Sequence, residues 1–251
     1  MSKAHKPIRI VPLRPTGDMI GAARPSAAAA KLTYRNGPLL ANVKVFTIFW
    51  GTAWQQSSDS KVPAQLNSFF DYILGSPLMD QLSEYNVPKY QIGHGSHIGT
   101  LNVTSPDASG TIQDGAIRKF IQKLIAGGKV PKSDANTLYF IFLPTGVTVR
   151  QGGSASCQQF CGYHDAIGGK TFCAVMPYPD CSGCLGSMSA LDSLTVTASH
   201  ELCEAITDPV PGEGWYDDTN GEIGDICAWT TKKVGQYTVQ KEWSNRANSC
   251  V

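Results

Sequence analysis

The first 156 residues of this 251-residue chain contain no cysteine; all eight cysteines fall between Cys157 and Cys250. Charge is sparse too. Only 16% of residues are charged, the net charge is +1, and no basic run stands out. Nucleic acid and anionic membrane surfaces, which are recognised through such runs, are therefore not expected partners. Long apolar runs are also missing: the longest, residues 43–50, is far short of the ~20 residues that span a bilayer. Neither a Gly-x-Ser-x-Gly elbow nor a phosphate-binding glycine loop occurs, which removes two common enzyme signatures. Residues 1–31 hold no apolar stretch of the ~7–15 residues that mark a secretory leader.

What is present describes a globular chain. Hydrophobic residues make up 42% of it, and 251 residues suffice to bury a sizeable core. The clustered cysteines predict disulfides that pin a loop-rich C-terminal half, and hence an oxidising, extracellular setting. The alternative is a structural zinc at Cys181-x-x-Cys184, but a second such pair to complete four ligands is lacking. Connectivity stays open.

Residues 1–31, rich in Pro, Ala and basic side chains, read as a flexible arm, and residues 32–251 as a single domain. β-branched and aromatic runs predict buried strands at 43–50 and 138–143, with a shorter one at 171–176. Apolar residues at helical spacing predict helices over 62–74 and 111–126. A third helix is predicted from Ser189 to Asp208, where Pro209 stops it. Strands alternating with helices indicate an α/β or α+β domain.

The chemistry concentrates in that last helix. His200 and Glu204 are four residues apart and share a helix face, so one metal ion can bridge them, with Glu201 directed at a water on that ion. This is the His-Glu-x-x-His arrangement of zinc peptidases with Glu in place of the second His. An isolated His-Glu-x-x-Glu is common and usually solvated. Here the helix is otherwise nearly free of charge, and burying two carboxylates without a cation is costly.

Four residues are candidates for a third ligand. Glu222 lies 18 residues after Glu204, and Asp225 follows it as ligand or as support for an imidazole. His164 would complete a two-His, one-Glu set, or be an ordinary hydrogen-bonded imidazole. Asp208 sits at the helix end. Zn2+ is the expected cofactor, and oxygen-rich ligation also suits Ca2+. His94 and His97, flanked by glycines, read as loop features. Cys203, beside acids, is a poor nucleophile.

Several motifs in order resemble the EXORDIUM (phosphate-induced protein) family. They are Tyr34-Arg35-Asn36-Gly37-Pro38-Leu39-Leu40, Phe49-Trp50-Gly51-x-x-Trp54 and Cys161-Gly162-Tyr163-His164, then the pair Cys181 and Cys184. His200-Glu201-Leu202-x-Glu204-Ala205-x-Thr207-Asp208-Pro209, Glu222-Ile223-Gly224-Asp225-Ile226-Cys227 and the terminal Cys250 complete the series. The resemblance covers about residues 32–251 and is to the microbial branch, because plant members typically have Asn where Asp208 stands. Plant members are apoplastic proteins linked to growth, and related microbial sequences with His-Glu-x-x-Glu look like zincin metallopeptidases. Cys203 stands where a small Ala is expected.

The resemblance implies a zincin-like, secreted zinc endopeptidase acting on a peptide or protein substrate, as a monomer. His200, Glu204 and one of Glu222, Asp225 or His164 would bind zinc. Glu201 would be the general base, Tyr163 or His164 would stabilise an oxyanion, and the strand at 171–176 would pair with the substrate. The competing expectation is a non-catalytic, metal-stabilised binding or signalling protein, with Trp215 or Trp229 touching a cell-wall partner.

Overall fold

A computed structural model of the chain describes residues 10–14, 30–56 and 59–251. His5 and most of the expected N-terminal arm, residues 1–9 and 15–29, lie outside the described residues. Six strands form the central sheet. They are β1 (Val11–Pro12), β2 (Lys44–Trp50), β3 (Ser96–Val103), β4 (Thr137–Phe142), β5 (Phe160–Ile167) and β6 (Thr171–Met176). Their spatial order is β1-β5-β6-β4-β2-β3. β3, β2, β4 and β6 run parallel, β5 is antiparallel to β6, and β1 is antiparallel to β5.

Both faces of this sheet are covered, which is why its middle strands read as unbroken apolar runs. Along β4, Leu138, Phe140 and Phe142 point into one layer while Tyr139 and Ile141 point into the other. Helices α1 (Val62–Ile73) and α3 (Ala190–Thr207) cover the first face; α2 (Asp114–Ala126) covers the second through Ile117, Phe120, Ile121 and Leu124. The predicted second helix is shortened at its start, because Thr111–Gln113 pairs as a strand with Thr148–Gln151.

α3 forms where the sequence put it. The Ser189 hydroxyl accepts from the Asp192 N–H at 3.0 Å as N-cap, and Asp208 ends the helix before Pro209. Its scarcity of charge is matched by its surroundings: every residue from Ser193 to Thr207 is buried. The cause is a hairpin, β7 (Thr231–Val234) and β8 (Tyr237–Gln240), that packs on the helix from the side away from the sheet. Thr195 Oγ1 donates to the Thr238 carbonyl at 2.7 Å, and the Gln240 N–H donates to Ser199 Oγ at 2.9 Å.

Three disulfides join Cys157 to Cys181, Cys161 to Cys184 and Cys227 to Cys250. Each closes a loop in the C-terminal half, as fits an oxidising environment. Cys173 and Cys203 are free and buried, and burial pushes both thiols up, Cys173 to about 12. No helix among the described residues is long and apolar enough to cross a membrane. One expectation is corrected: β6 lies inside the sheet with β4 on one side and β5 on the other, so it has no edge to offer a substrate.

Candidate metal centre

The centre lies where α3 crosses β5. Close approach is possible because β5 has Gly162 at the crossing: a Cβ there would stand 2.7 Å from Thr197 Cγ2 and 3.3 Å from Glu201 Oε1. Two residues on, His164 points to the same face. Its Nδ1 lies 3.1 Å from Glu201 Oε2 and 3.5 Å from Glu204 Oε2. Its Nε2 lies 3.1 Å from the Asp208 carbonyl and 3.5 Å from Glu222 Oε1. A carbonyl only accepts, so Nε2 carries a proton, and Nδ1 is the nitrogen that faces Glu201 and Glu204.

One helical turn separates His200 from Glu204, and their Nε2 and Oε1 atoms are 2.9 Å apart. Behind His200, the Gln240 amide is fixed by accepting from the Trp229 N–H (3.0 Å) and donating to the Gly224 carbonyl (2.9 Å). Its Nε2 then meets His200 Nδ1 at 2.8 Å, where only a neutral ring can accept. Metal ligation through His200 Nε2 requires the proton on Nδ1, and hence a turned Gln240 amide. His164 needs no such change. Gly224 packs so close that a Cβ would sit 2.8 Å from His200 Nδ1.

The remaining acids complete the cluster. The Asp225 N–H donates to Glu204 Oε1 at 3.0 Å, and Asp225 Oδ2 accepts from the Glu222 N–H at 3.1 Å. Within this cluster two sets of three side chains bring ligand atoms within 4.8 Å of one another: His164 with Glu201 and Glu204, and His200 with Glu204 and Asp225; a third such set, Cys157, Cys181 and Cys184, is tied up in disulfides. Glu204 belongs to both sets of the cluster. Glu222, expected first from its spacing, belongs to neither and lies against His164 instead. The Asp208 carboxylate accepts from the N–H groups of Gly212, Glu213 and Gly214 and lies against the Glu222 side chain, outside either set.

Electrostatics sets this cluster apart. His200, Glu201 and Glu222 are 0% exposed, and His164 and Glu204 are 1% exposed. Ion pairs to Glu201, Glu204 and Glu222 come only from the two imidazoles among the described residues. His200 Nε2, Glu201 Oε1 and both Glu222 carboxylate oxygens are buried with no hydrogen-bond partner there. Burial alone would lower both imidazole pKa values. The surrounding glutamates outweigh it, raising His200 to about 10 and His164 well above its ordinary value. Burial opposes ionisation of Glu204, yet the two histidines hold it at about 2. For Glu201 and Glu222 burial prevails and the pKa rises. Asp208 is raised to about 6 by burial.

The donor set fits a cation. Two donors about 2.0–2.1 Å from a tetrahedral zinc lie about 3.3–3.4 Å apart, and the separations of 2.9, 3.1 and 3.5 Å bracket that value. Buried polar atoms without partners are rare in folded proteins and call for an explanation such as an ion.

Two expected site residues fall elsewhere. Tyr163 points to the opposite face of the sheet, where its hydroxyl donates to Asp114 Oδ1 at 2.8 Å, so it cannot serve an oxyanion at this centre. Neighbours along a strand face opposite ways. Trp229 spends its indole N–H on the Pro12 carbonyl. His94 and His97 pair with Asp80 and Asp71, each at 2.8 Å, outside either donor set. Gln240 and Glu242 escaped sequence reading. Glu242 is fully buried near His200, and burial pushes its carboxyl well above the usual range; nothing in its local sequence distinguishes it. Comparison of the chain with models of known protein families gives no match, and neither does comparison with curated proteins.

Proposed function

We propose that the chain is a secreted, zinc-dependent peptide-bond hydrolase of zincin-like fold, akin to the microbial branch of the EXORDIUM family. The observation that carries this reading is the set of buried atoms on His200, Glu201 and Glu222 that lack a hydrogen-bond partner, in a layer of glutamates whose ion pairs come from imidazoles alone, among the described residues. Glu204, common to both donor sets, would hold the ion, with His164 and His200 on either side. Zinc bound there supplies Lewis acidity toward water and a carbonyl oxygen. Glu201 is the general base: burial raises its pKa, and its Oε1 has no hydrogen-bond partner among the described residues and can take a proton. Asp225, and Glu222 once it gives up its proton, add negative charge that favours a divalent cation, Ca2+ included.

One observation favours a second reading. The centre is fully buried, as a structural metal in a non-catalytic binding or signalling protein would be. A Glu201→Gln variant separates the two. Metal content and cleavage of an unfolded protein are measured beside wild type. Retained zinc with cleavage reduced by about 10²-fold or more supports the hydrolase. Equal behaviour of the two proteins, with zinc in both, supports the structural role.

A further inference from the structure

The outer edge of β5, the strand that carries His164, is occupied by the chain itself. Val11 pairs with Gly162 and Pro12 with Phe160, antiparallel. The side chains are seated as well. Val11 is 1% exposed and clusters with Val196 of α3, one turn before His200, and with Cys161 and Cys184. The Arg14 N–H donates to the Gly183 carbonyl at 2.8 Å, and Trp229 Nε1 donates to the Pro12 carbonyl at 2.8 Å. The Arg14 guanidinium lies 4.1 Å from the centre of the Trp229 ring. Leu13 fills the space over Gly183, where a Cβ would meet it at 3.2 Å. The groove thus has a strand edge as floor, Trp229 as one wall and the disulfide-bound turn at residues 181–184 as the other.

An extended segment on a strand edge, with alternate side chains seated, is how peptides are recognised by strand addition. Gly162, opposite Val11, is also the residue against which Glu201 packs, so the occupied edge belongs to the candidate metal centre. The occupant does not satisfy the groove fully. Arg14 Nε is buried with no hydrogen-bond partner among the described residues, and that weakens its hold.

We propose that residues 10–14 are a displaceable peptide ligand held in cis, and that the groove they fill is the peptide subsite of the metal centre. Its chemistry selects an extended peptide with a β-branched residue opposite Gly162 and a basic residue against Trp229. The seated segment competes with substrate, so it lowers cleavage by the wild-type chain without abolishing it. That consequence rests on the hydrolase reading; the groove itself does not.

The test uses the full-length chain and a full-length double variant, Leu13→Asp with Arg14→Ala, both zinc-loaded. A fluorescent synthetic peptide of residues 8–16 is titrated into each. A tethered ligand competes at an effective concentration of order mM, so the variant is expected to bind at least about tenfold more tightly. Adding Gly183→Leu to the variant blocks the groove and should abolish binding. Equal affinity for wild type and double variant overturns the proposal. Should the double variant fail to fold, hydrogen exchange of wild type decides: excess peptide must speed exchange at the Val11 and Arg14 amides, and unchanged exchange overturns it. Tight binding to the variant without cleavage upholds the groove and contradicts only the hydrolase.

Discussion

Both faces of the central sheet bury carboxylates, and they neutralise them by different means. Under α2, Asp165 of β5 and Asp114 at the helix start both pair with Arg118, and Tyr163 donates to Asp114. A guanidinium keeps its proton and binds no metal, so that cluster is closed. On the other face, one residue away along the same strand, His164 meets Glu201, Glu204 and Glu222. Imidazoles can release a proton and accept a metal instead. Adjacent residues of β5 therefore serve a finished ion pair on one side and an open set of donors on the other.

The sharpest way to break this contrast is Glu204→Ala, which removes the acid common to both donor sets. Stoichiometric zinc should be lost, and removal of one partner from so buried a cluster should cost ~3–5 kcal/mol. Metal analysis and urea unfolding read both effects. If zinc stays, the centre is wrongly assigned.

Arg118→Ala probes the closed side. It strands two acids, but the Arg118 side chain is 24% exposed, so the expected loss is smaller, ~2–3 kcal/mol in urea unfolding. Zinc content should not change. Loss of zinc in this variant would show that the two faces are not independent.

The smallest effect is on pH dependence, and within the open face it differs in sign between the imidazole and its carboxylate partner. In the metal-free chain His200 is raised to about 10 by its glutamates, against burial. Its contribution to stability is full below the ordinary imidazole value and is lost as pH rises toward 10. Glu204, held at about 2, contributes above the ordinary carboxylate value and is lost as pH falls toward 2. Glu222 is raised, so it too keeps a proton to higher pH than usual. Zinc must expel such protons. Uptake at pH 7 should acidify a weakly buffered solution, and apparent affinity should rise from pH 6 to pH 8. An affinity that is flat over this range would contradict the assignment of imidazole and carboxylate ligands.

The motif residues were legible because helix geometry fixes the relation of His200 to Glu204 without any tertiary knowledge. Ser189 and Pro209 marked the ends of that helix for equally local reasons. The middle strands β2 and β4 were legible because burial on both faces leaves an uninterrupted apolar run. β5 was not. Its sequence, Phe-Cys-Gly-Tyr-His-Asp-Ala-Ile, places His and Asp in the interior, and those residues make sense only beside Glu201 and Arg118. Without knowing that segment to be a strand, Tyr163 looked like a neighbour of the site, when the two-residue period sends it to the opposite face. Val11 and Pro12 carry no periodicity at all; only their partners across β5 give them a place.

The most direct test of the central claim is the X-ray absorption spectrum of the zinc-loaded full-length chain. Ligation by the imidazoles and carboxylates gathered around Glu204 predicts nearest scatterers of nitrogen and oxygen only, at about 2.0–2.2 Å, with imidazole features beyond. Sulfur at about 2.3 Å would place the metal among the cysteines instead, and would contradict the account.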